Sequence, residues 1–382
     1  IEQMKASPLT SKNLPETGTA FILDVMNQVG ALGVRNFQSN VSVHAIVFAE
    51  EMRRLHGKRM GCFSCPIGCE HTMKVGQEQE VTAPGYEAAA TLGPGCGIWD
   101  AKAVAQAHHA CMELGLDPVS AGGTIACAME LCEKGWLTAR EAGLALKFGD
   151  GAGLTKLVES AGLRQGFGDV LADGGWRLAC KYGHPEVFMG IKGQEMPAFD
   201  PRAVQGLGLH FATANTGPSL ESGDTLLAEV LGVAGNVDPW DTGGKAALVK
   251  ETQDFAAVLD SCGLCRKALM GGVTVMEVFA MMEMATAAGL TDADLLKAGE
   301  RIFNLERLFN LKAGLTGGDD TLPGRMLEQP PADGGSAGQV SRLAEMLPEY
   351  RHLRGWDEAG IPGEEKLVEL GLVGADVVGN KT

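Results

Sequence analysis

Residues 99–117 read WDAKAVAQAHHACMELGLD, and the spacing within them sets the fold class. Asp100 stands ahead of apolar residues that recur every three or four positions, and Gly115 follows the last of them. This predicts one helix over 100–115, with Asp100 as its N-cap and Gly115 as its stop. The same grammar repeats outward along the chain. SAGGTIACAMELCEKG (120–135) continues helically to about Lys134, and TAREAGLAL (138–146) opens with Thr138 and Glu141 in capping-box spacing. A helix is expected from about Asp169 to Tyr182. VTVMEVFAMMEMATAAG (273–289) and TDADLLKAGERIFNLERLFNLKAG (291–314) read as two long helices split at Gly289. Strand alternation is scarce, with short candidates around Val75 to Val81 and Val187 to Ile191. The chain therefore reads as mainly α. The methionines between Met276 and Met284 are read as core packing, QPPADGGSAG (329–338) as a loop, and the first fifty residues show no obvious starting element.

Composition narrows the function. With 382 residues and 45% hydrophobic content, the chain suits two domains with proper cores. A formal charge of −16 and a pI near 5.0 argue against nucleic acid or an anionic membrane as partner, since both select clustered Lys and Arg. A small molecule or a protein fits better. No apolar run reaches the length of a membrane span, and IEQMKASPLT lacks the features of a signal peptide, so the expectation is a cytoplasmic protein with its ten cysteines reduced. The sequence opens at Ile1 without an initiator Met, which suggests a missing upstream segment.

The helix that opens this reading closes on MELGLD (112–117), and DSCGLC (260–265) repeats the same Gly-Leu close with a cysteine in the last place. Two helix C-caps that share Gly-Leu would explain the echo equally well. CFSCPIGC (62–69) carries three more cysteines at i, i+3 and i+7. Three thiols so spaced in a reducing compartment suit an iron-sulfur cluster or a zinc site better than a disulfide, and the C-x-x-C-x-x-x-C spacing leans toward [4Fe-4S]. Either needs a fourth ligand, and Cys262 and Cys265 are both available. Cys96, Cys111, Cys127, Cys132 and Cys180 fall on apolar or Gly-rich stretches and are expected to be buried structural thiols.

CFSCPIGC (62–69), PGYEAAATLGPGCGI (84–98), GLDPVSAGG (115–123), KGQEMPAFDPR (192–202), GLGLHFATANTG (206–217), DSCGLC (260–265) and GWDEAGIP (355–362) occur in that order. Together they resemble the aldehyde ferredoxin oxidoreductases, tungstopterin enzymes, over their two C-terminal helical domains. The resemblance implies two multihelical domains, here 1–190 and 191–382, and a separate N-terminal β domain that no part of this sequence matches. It implies Cys62, Cys65, Cys69 and Cys265 as ligands of a [4Fe-4S] cluster. It further implies pterin contacts at Gly115, Leu116 and Asp117 and at Asp260, Gly263, Leu264 and Cys265, with a tungsten bis-pterin of the molybdopterin type and molybdenum as the alternative metal. Glu87 matches a glutamate beside that metal and is the expected general base; a first-turn Glu favoured by the helix dipole is the plainer alternative.

The implied function is oxidation of aldehydes to carboxylic acids, with electrons passed to ferredoxin or an electron-transfer subunit, and a homodimer is compatible with it. The alternatives are a tungstopterin reductase of another substrate, such as an aromatic acyl-CoA thioester, and a non-catalytic iron-sulfur electron-transfer subunit. Three departures from the family pattern bear on the choice. Met112 stands where the family has Asp or Asn. Gln106 with His109 replaces the pair that holds a bridging metal in some members. The histidine expected after NTG (215–217) is missing, leaving His210 as a pocket or core residue.

Overall fold

The structure, a computed structural model, describes residues 1–76, 79–144, 146–233 and 237–373. It is mainly helical, and its chain divides into two compact units. One comprises residues 11–203 with 323–340; the other comprises 1–10, 204–322 and 341–382.

In the first unit, α1 (Phe21–Val29) packs on α2 (His44–Leu55). Three antiparallel strands follow, β1 (His56–Met60), β2 (Glu70–Lys74) and β3 (Glu80–Thr82), in the order β1-β2-β3. Then come α3 (Tyr86–Leu92), α4 (Ala101–Leu114), α5 (Pro118–Glu133) and α6 (Gly151–Gly162), with α5 against α3 and α6 against α4. The helix expected from 99–117 forms as read: Asp100 accepts from Lys102 N at 2.9 Å and Ala103 N at 3.1 Å, and Gly115 closes it at φ 67°.

A buried polar network ties the unit together. Arg325 pairs with Glu130 at 2.6 Å, the amide of Asn36 donates to Glu130 at 2.7 Å, and Arg202 chelates the fully buried Asp200. Removing one partner of such a pair costs about 3–5 kcal/mol, because the other charge stays buried without it.

In the second unit, α7 (Gln205–Thr213), α8 (Lys245–Ser261), α9 (Val275–Thr286), α10 (Asp292–Ala313) and α11 (Leu343–Leu353) form the core, with α8 packed on α7, α10 and α11. Gly299 lets α10 lie against α8, since a Cβ there would stand 2.1 Å from the Asp254 carbonyl oxygen. The capping boxes at Thr138–Glu141, Thr274–Glu277 and Thr291–Asp294 are all formed.

Several expectations are corrected. The region 169–182 is two short helices, Gly168–Leu171 and Gly175–Lys181, because Gly174 at φ 87° breaks the run. The helix begun at Thr138 ends at Ala142, and position 145 lies outside the described residues. Of the strand candidate at 75–81, Glu80 and Val81 belong to β3, whereas Val75 lies beyond β2 with its amide donating to Gln79 O at 3.1 Å, and positions 77 and 78 lie outside the described residues. At 187–191 a 3-10 turn (Pro185–Val187) precedes a two-residue strand, β4 (Gly190–Ile191), paired with β5 (Gln194–Glu195).

Met276, Met281 and Met284 are 60%, 43% and 77% exposed, while Val278 and Phe279 fill the core beneath α9. Met276, Met281 and Met284 are therefore surface, while Met282 packs against that core as expected. The first fifty residues do contain starting helices. In α2 the buried set Ala45, Phe48, Ala49 and Met52 keeps helical spacing, but exposed Val43, Ile46 and Val47 obscure it.

Candidate functional site

The three clustered cysteines occupy the connection of a β-hairpin. β1 and β2 pair antiparallel through Arg59↔His71 and Met60↔Glu70, and residues 61–69 join them. Inside this loop Cys65 N donates to Cys62 O at 3.0 Å, and Ser64 and Gly68 take left-handed conformations at φ 57° and 58°. Ile67 is buried as the loop's anchor, whereas Phe63 is almost wholly exposed. Cys62 is exposed, and Cys65 and Cys69 are half-buried. Among the described residues no three His, Cys, Asp or Glu side chains are gathered into a preformed metal cage. The thiols share one loop but do not yet converge.

Their accessibility separates them from the remaining cysteines. Burial pushes the Cys96 and Cys111 thiols up to about 12, and burial with the charges of Glu130 and Glu195 raises Cys127 further. A thiol held protonated is inert as a ligand. Cys132 is half-buried, and Cys180 is exposed on the last turn of Gly175–Lys181, which corrects its expected burial. Cys262 packs against the apolar cluster of Val258, Leu259, Val278, Phe279 and Leu295, and burial raises its pKa. Cys265, three residues on, is exposed. Within the first unit the three loop thiols are the donor set that one segment offers to a metal group, and this chemistry fits an iron-sulfur cluster; Cys265 belongs to the second unit.

The two Gly-Leu segments are the same structure. Gly115 N donates to Met112 O at 3.4 Å and Leu116 N to Cys111 O at 2.8 Å; Gly263 N donates to Asp260 O at 3.0 Å and Leu264 N to Leu259 O at 3.0 Å. Both glycines are left-handed, at φ 67° and 64°, and a Cβ at either would meet nothing within 4 Å. Each is a helix C-cap facing open space. Their amides are spent in the caps, so what remains for a ligand is carbonyl oxygen and side chain. Asp117 uses its carboxylate as the N-cap of α5, accepting from Val119 N at 3.3 Å and Ser120 N at 3.0 Å. Asp260 is exposed, and partial burial with the Glu221 charge raises its carboxyl above the usual range. Met112 is 57% exposed at the position matching Asp260.

Glu87 is half-buried in the first turn of α3. Its backbone is held from three directions. The Tyr86 amide donates to Thr19 Oγ1 at 2.7 Å, Tyr86 Oη donates to Ala198 O at 2.8 Å, and Thr91 Oγ1 donates to Glu87 O at 2.6 Å. Burial, with the neighbouring Glu87 charge, pushes the Tyr86 phenol well above its ordinary pKa, so the phenol stays a neutral donor.

His210 is a core residue. It is fully buried, Nδ1 accepts from Gln253 Nε2 at 3.1 Å, and Nε2 lies 2.8 Å from the Ser219 carbonyl, to which it donates. Gln253 Oε1 in turn accepts from Tyr350 Oη at 2.6 Å and Arg354 Nη2 at 2.8 Å. Gln106 and His109 lie on α4 and line a polar groove with Glu113, Lys156 and Glu159.

Sequence reasoning missed Thr19 as a distant cap for α3 and Arg59 as a tether of the cysteine loop. Thr19 acts through a contact 67 positions away, and Arg59 through a hairpin that its own polar strand does not announce.

The profile of the family described as "Aldehyde ferredoxin oxidoreductase, domains 2 & 3" matches residues 1–372. The tungsten-containing aldehyde ferredoxin oxidoreductases of Pyrococcus furiosus and Thermococcus kodakarensis are each 40% identical over 378 residues, covering 97% of this chain and 62% of theirs. The chain thus spans less than two thirds of the length of these relatives. An aliphatic sulfonate oxidoreductase, WOR-like subunit, from Pyrococcus furiosus is 27% identical over 89% of this chain and 54% of its own. Among solved structures, the active site complex BamBC of benzoyl coenzyme A reductase, in complex with 1,5-dienoyl-CoA, shares the fold. Its TM-score is 0.73 at 17% identity, covering 93% of this chain and 59% of that one.

Proposed function

The chain belongs to the aldehyde ferredoxin oxidoreductase family, and from this premise we propose that it serves a tungstopterin and [4Fe-4S] oxidoreductase that converts aldehydes to carboxylic acids and delivers electrons to ferredoxin. The observation that supports the reading is the set of three cysteines in one hairpin loop, with Cys265 on an open cap, set against Cys96, Cys111 and Cys127, whose thiols burial keeps protonated. Cys62, Cys65, Cys69 and Cys265 are assigned to the cluster. Cys262 is set aside because its side chain packs into the apolar core.

In the proposed reaction an aldehyde and a water become a carboxylic acid, two protons and two electrons, each electron leaving singly to a ferredoxin. The bis-pterin metal supplies the two-electron chemistry when bound. This chain's residues bind and move protons. Glu87, fixed through its backbone, accepts a proton at its carboxylate as water or substrate reacts. The caps at Gly115, Leu116 and Asp117 and at Asp260, Gly263 and Leu264 offer carbonyl oxygens, and Asp260 a carboxylate, to the N–H groups of a pterin edge. With Met112 at the position that matches Asp260, the first cap offers no such side-chain acceptor. A homodimer is compatible with this reading, and no helix among the described residues is long and apolar enough to cross a membrane.

A second reading, reduction of another electrophile such as an aromatic acyl-CoA thioester, is favoured by His210, whose two ring nitrogens are committed within the core. Metal analysis of the anaerobically purified full-length protein, with aldehyde-dependent dye reduction, separates the readings. Tungsten, iron and aldehyde-driven dye reduction support the first. Both metals with thioester reduction alone support the second, and iron without tungsten rejects both for an electron carrier.

A further inference from the structure

The loop that holds three cysteines is closed at its neck by a side chain the proposed reaction does not use. Arg59, on β1, reaches across the hairpin and donates from Nε to Gly68 O at 2.9 Å and from Nη2 to Ile67 O. The β1–β2 register shifts between His56 and Arg59, and a bulge of this kind re-aims the side chains after it. The neck is tight on both sides. A Cβ at Gly68 would stand 2.8 Å from Arg59 Nε, and a Cβ at Gly61 would stand 3.0 Å from Gly68 Cα. Gly68 also sits at φ 58°, where a side chain is strained.

Two consequences follow from this placement. The carbonyls that Arg59 grips belong to the two residues immediately before Cys69, so the guanidinium fixes the direction in which the loop's last thiol leaves the neck. A guanidinium fork suits this task because it is planar and holds two acceptors at once, which an ammonium does not. Its hydrogen bonds go to neutral carbonyls rather than a carboxylate, so its positive charge is kept beside the loop. An iron-sulfur cluster with four thiolates is anionic, more so when reduced, and a fixed cation nearby favours the reduced form.

We propose that Arg59 is the positioning residue of the cysteine loop: it holds the neck closed for cluster binding and biases the bound cluster toward reduction. The inference rests on the iron-sulfur reading above. Its test compares Arg59→Gln, Arg59→Lys and Lys58→Gln, a neighbouring exposed charge on the same strand, in the anaerobically purified full-length protein. Iron retention under a chelator and the cluster's redox titration, followed by its visible and paramagnetic signals, are the readouts.

Arg59→Gln is expected to speed iron loss about tenfold, as two charge-assisted hydrogen bonds disappear. At a fixed applied potential it should lower the reduced-to-oxidised ratio about three- to tenfold. Arg59→Lys keeps the charge without the fork, so its potential stays near the parent's while iron is lost faster. If Arg59→Gln binds too little cluster to titrate, positioning is upheld and Arg59→Lys reports the charge effect. Lys58→Gln should match the parent in both. Arg59→Gln equal to the parent in retention and potential overturns the inference while the cluster reading stands. A parent protein without a cluster overturns both.

Discussion

The two Gly-Leu caps, at 112–117 and 260–265, share one backbone and differ in the residue that follows it. In both, the glycine is left-handed and the next amide returns to a carbonyl five residues back. At the first, Asp117 turns its carboxylate onto the amides of α5 and becomes part of the next helix start. At the second, Cys265 is left exposed. A cap is therefore a local device for stopping a helix with its carbonyls facing out, and the chemistry belongs to the side chain placed just beyond it. The first cap is mostly architecture. The second ends on the exposed thiol that the proposed reading assigns to the cluster.

That contrast is broken or sharpened by substitution. The largest effect is expected at Cys265. Cys265→Ala should strip most of the iron and the broad visible absorption, whereas Cys262→Ala should leave both near the parent level, because its thiol faces the cluster of Val258 and Phe279. The reverse ranking would move the ligand to Cys262. Next comes Glu87→Gln, expected to keep metal content and fold while lowering turnover about 100-fold, as loss of a general base does. Turnover equal to the parent across pH would make Glu87 a first-turn helix residue and nothing more.

At Asp117 the effect is one of stability. Asp117→Ala should cost about 1 kcal/mol as the N-cap of α5 is lost, and Asp117→Asn should recover most of it, both read by denaturant titration. Cofactor loss in Asp117→Asn with stability intact would mean that the carboxylate serves a ligand as well. The smallest expected effect is the difference between Gly115→Ala and Gly263→Ala. Each should destabilise by about 1–2 kcal/mol for the left-handed conformation, and by nearly equal amounts since the surroundings of both are open. A large inequality would show that the caps are not equivalent.

What the sequence made legible was local. Asp100 and Thr138 announce helix starts through contacts spanning three residues, and both form. The three-cysteine loop was visible for the same reason. What escaped depends on distant partners or on masked periodicity. The strand HGKRM (56–60) is polar, so only its pairing with β2 makes it a strand. In α2, exposed Ile46 and Val47 hide the buried face. The fate of His210 could not be read either, because its partners Ser219 and Gln253 come from a loop and from a helix 43 positions away. Met276, Met281 and Met284 of α9 misled in the other direction, since an apolar side chain says nothing about which face of its helix meets the core, whereas Met282 does pack on it.

The central claim is that Cys62, Cys65, Cys69 and Cys265 hold an iron-sulfur cluster, and metal content with the absorption spectrum of the anaerobically purified full-length protein tests it most directly. The account predicts about four irons per chain at this site, with a broad visible absorption that bleaches on reduction. One zinc per chain, with no iron and no visible absorption, would contradict it.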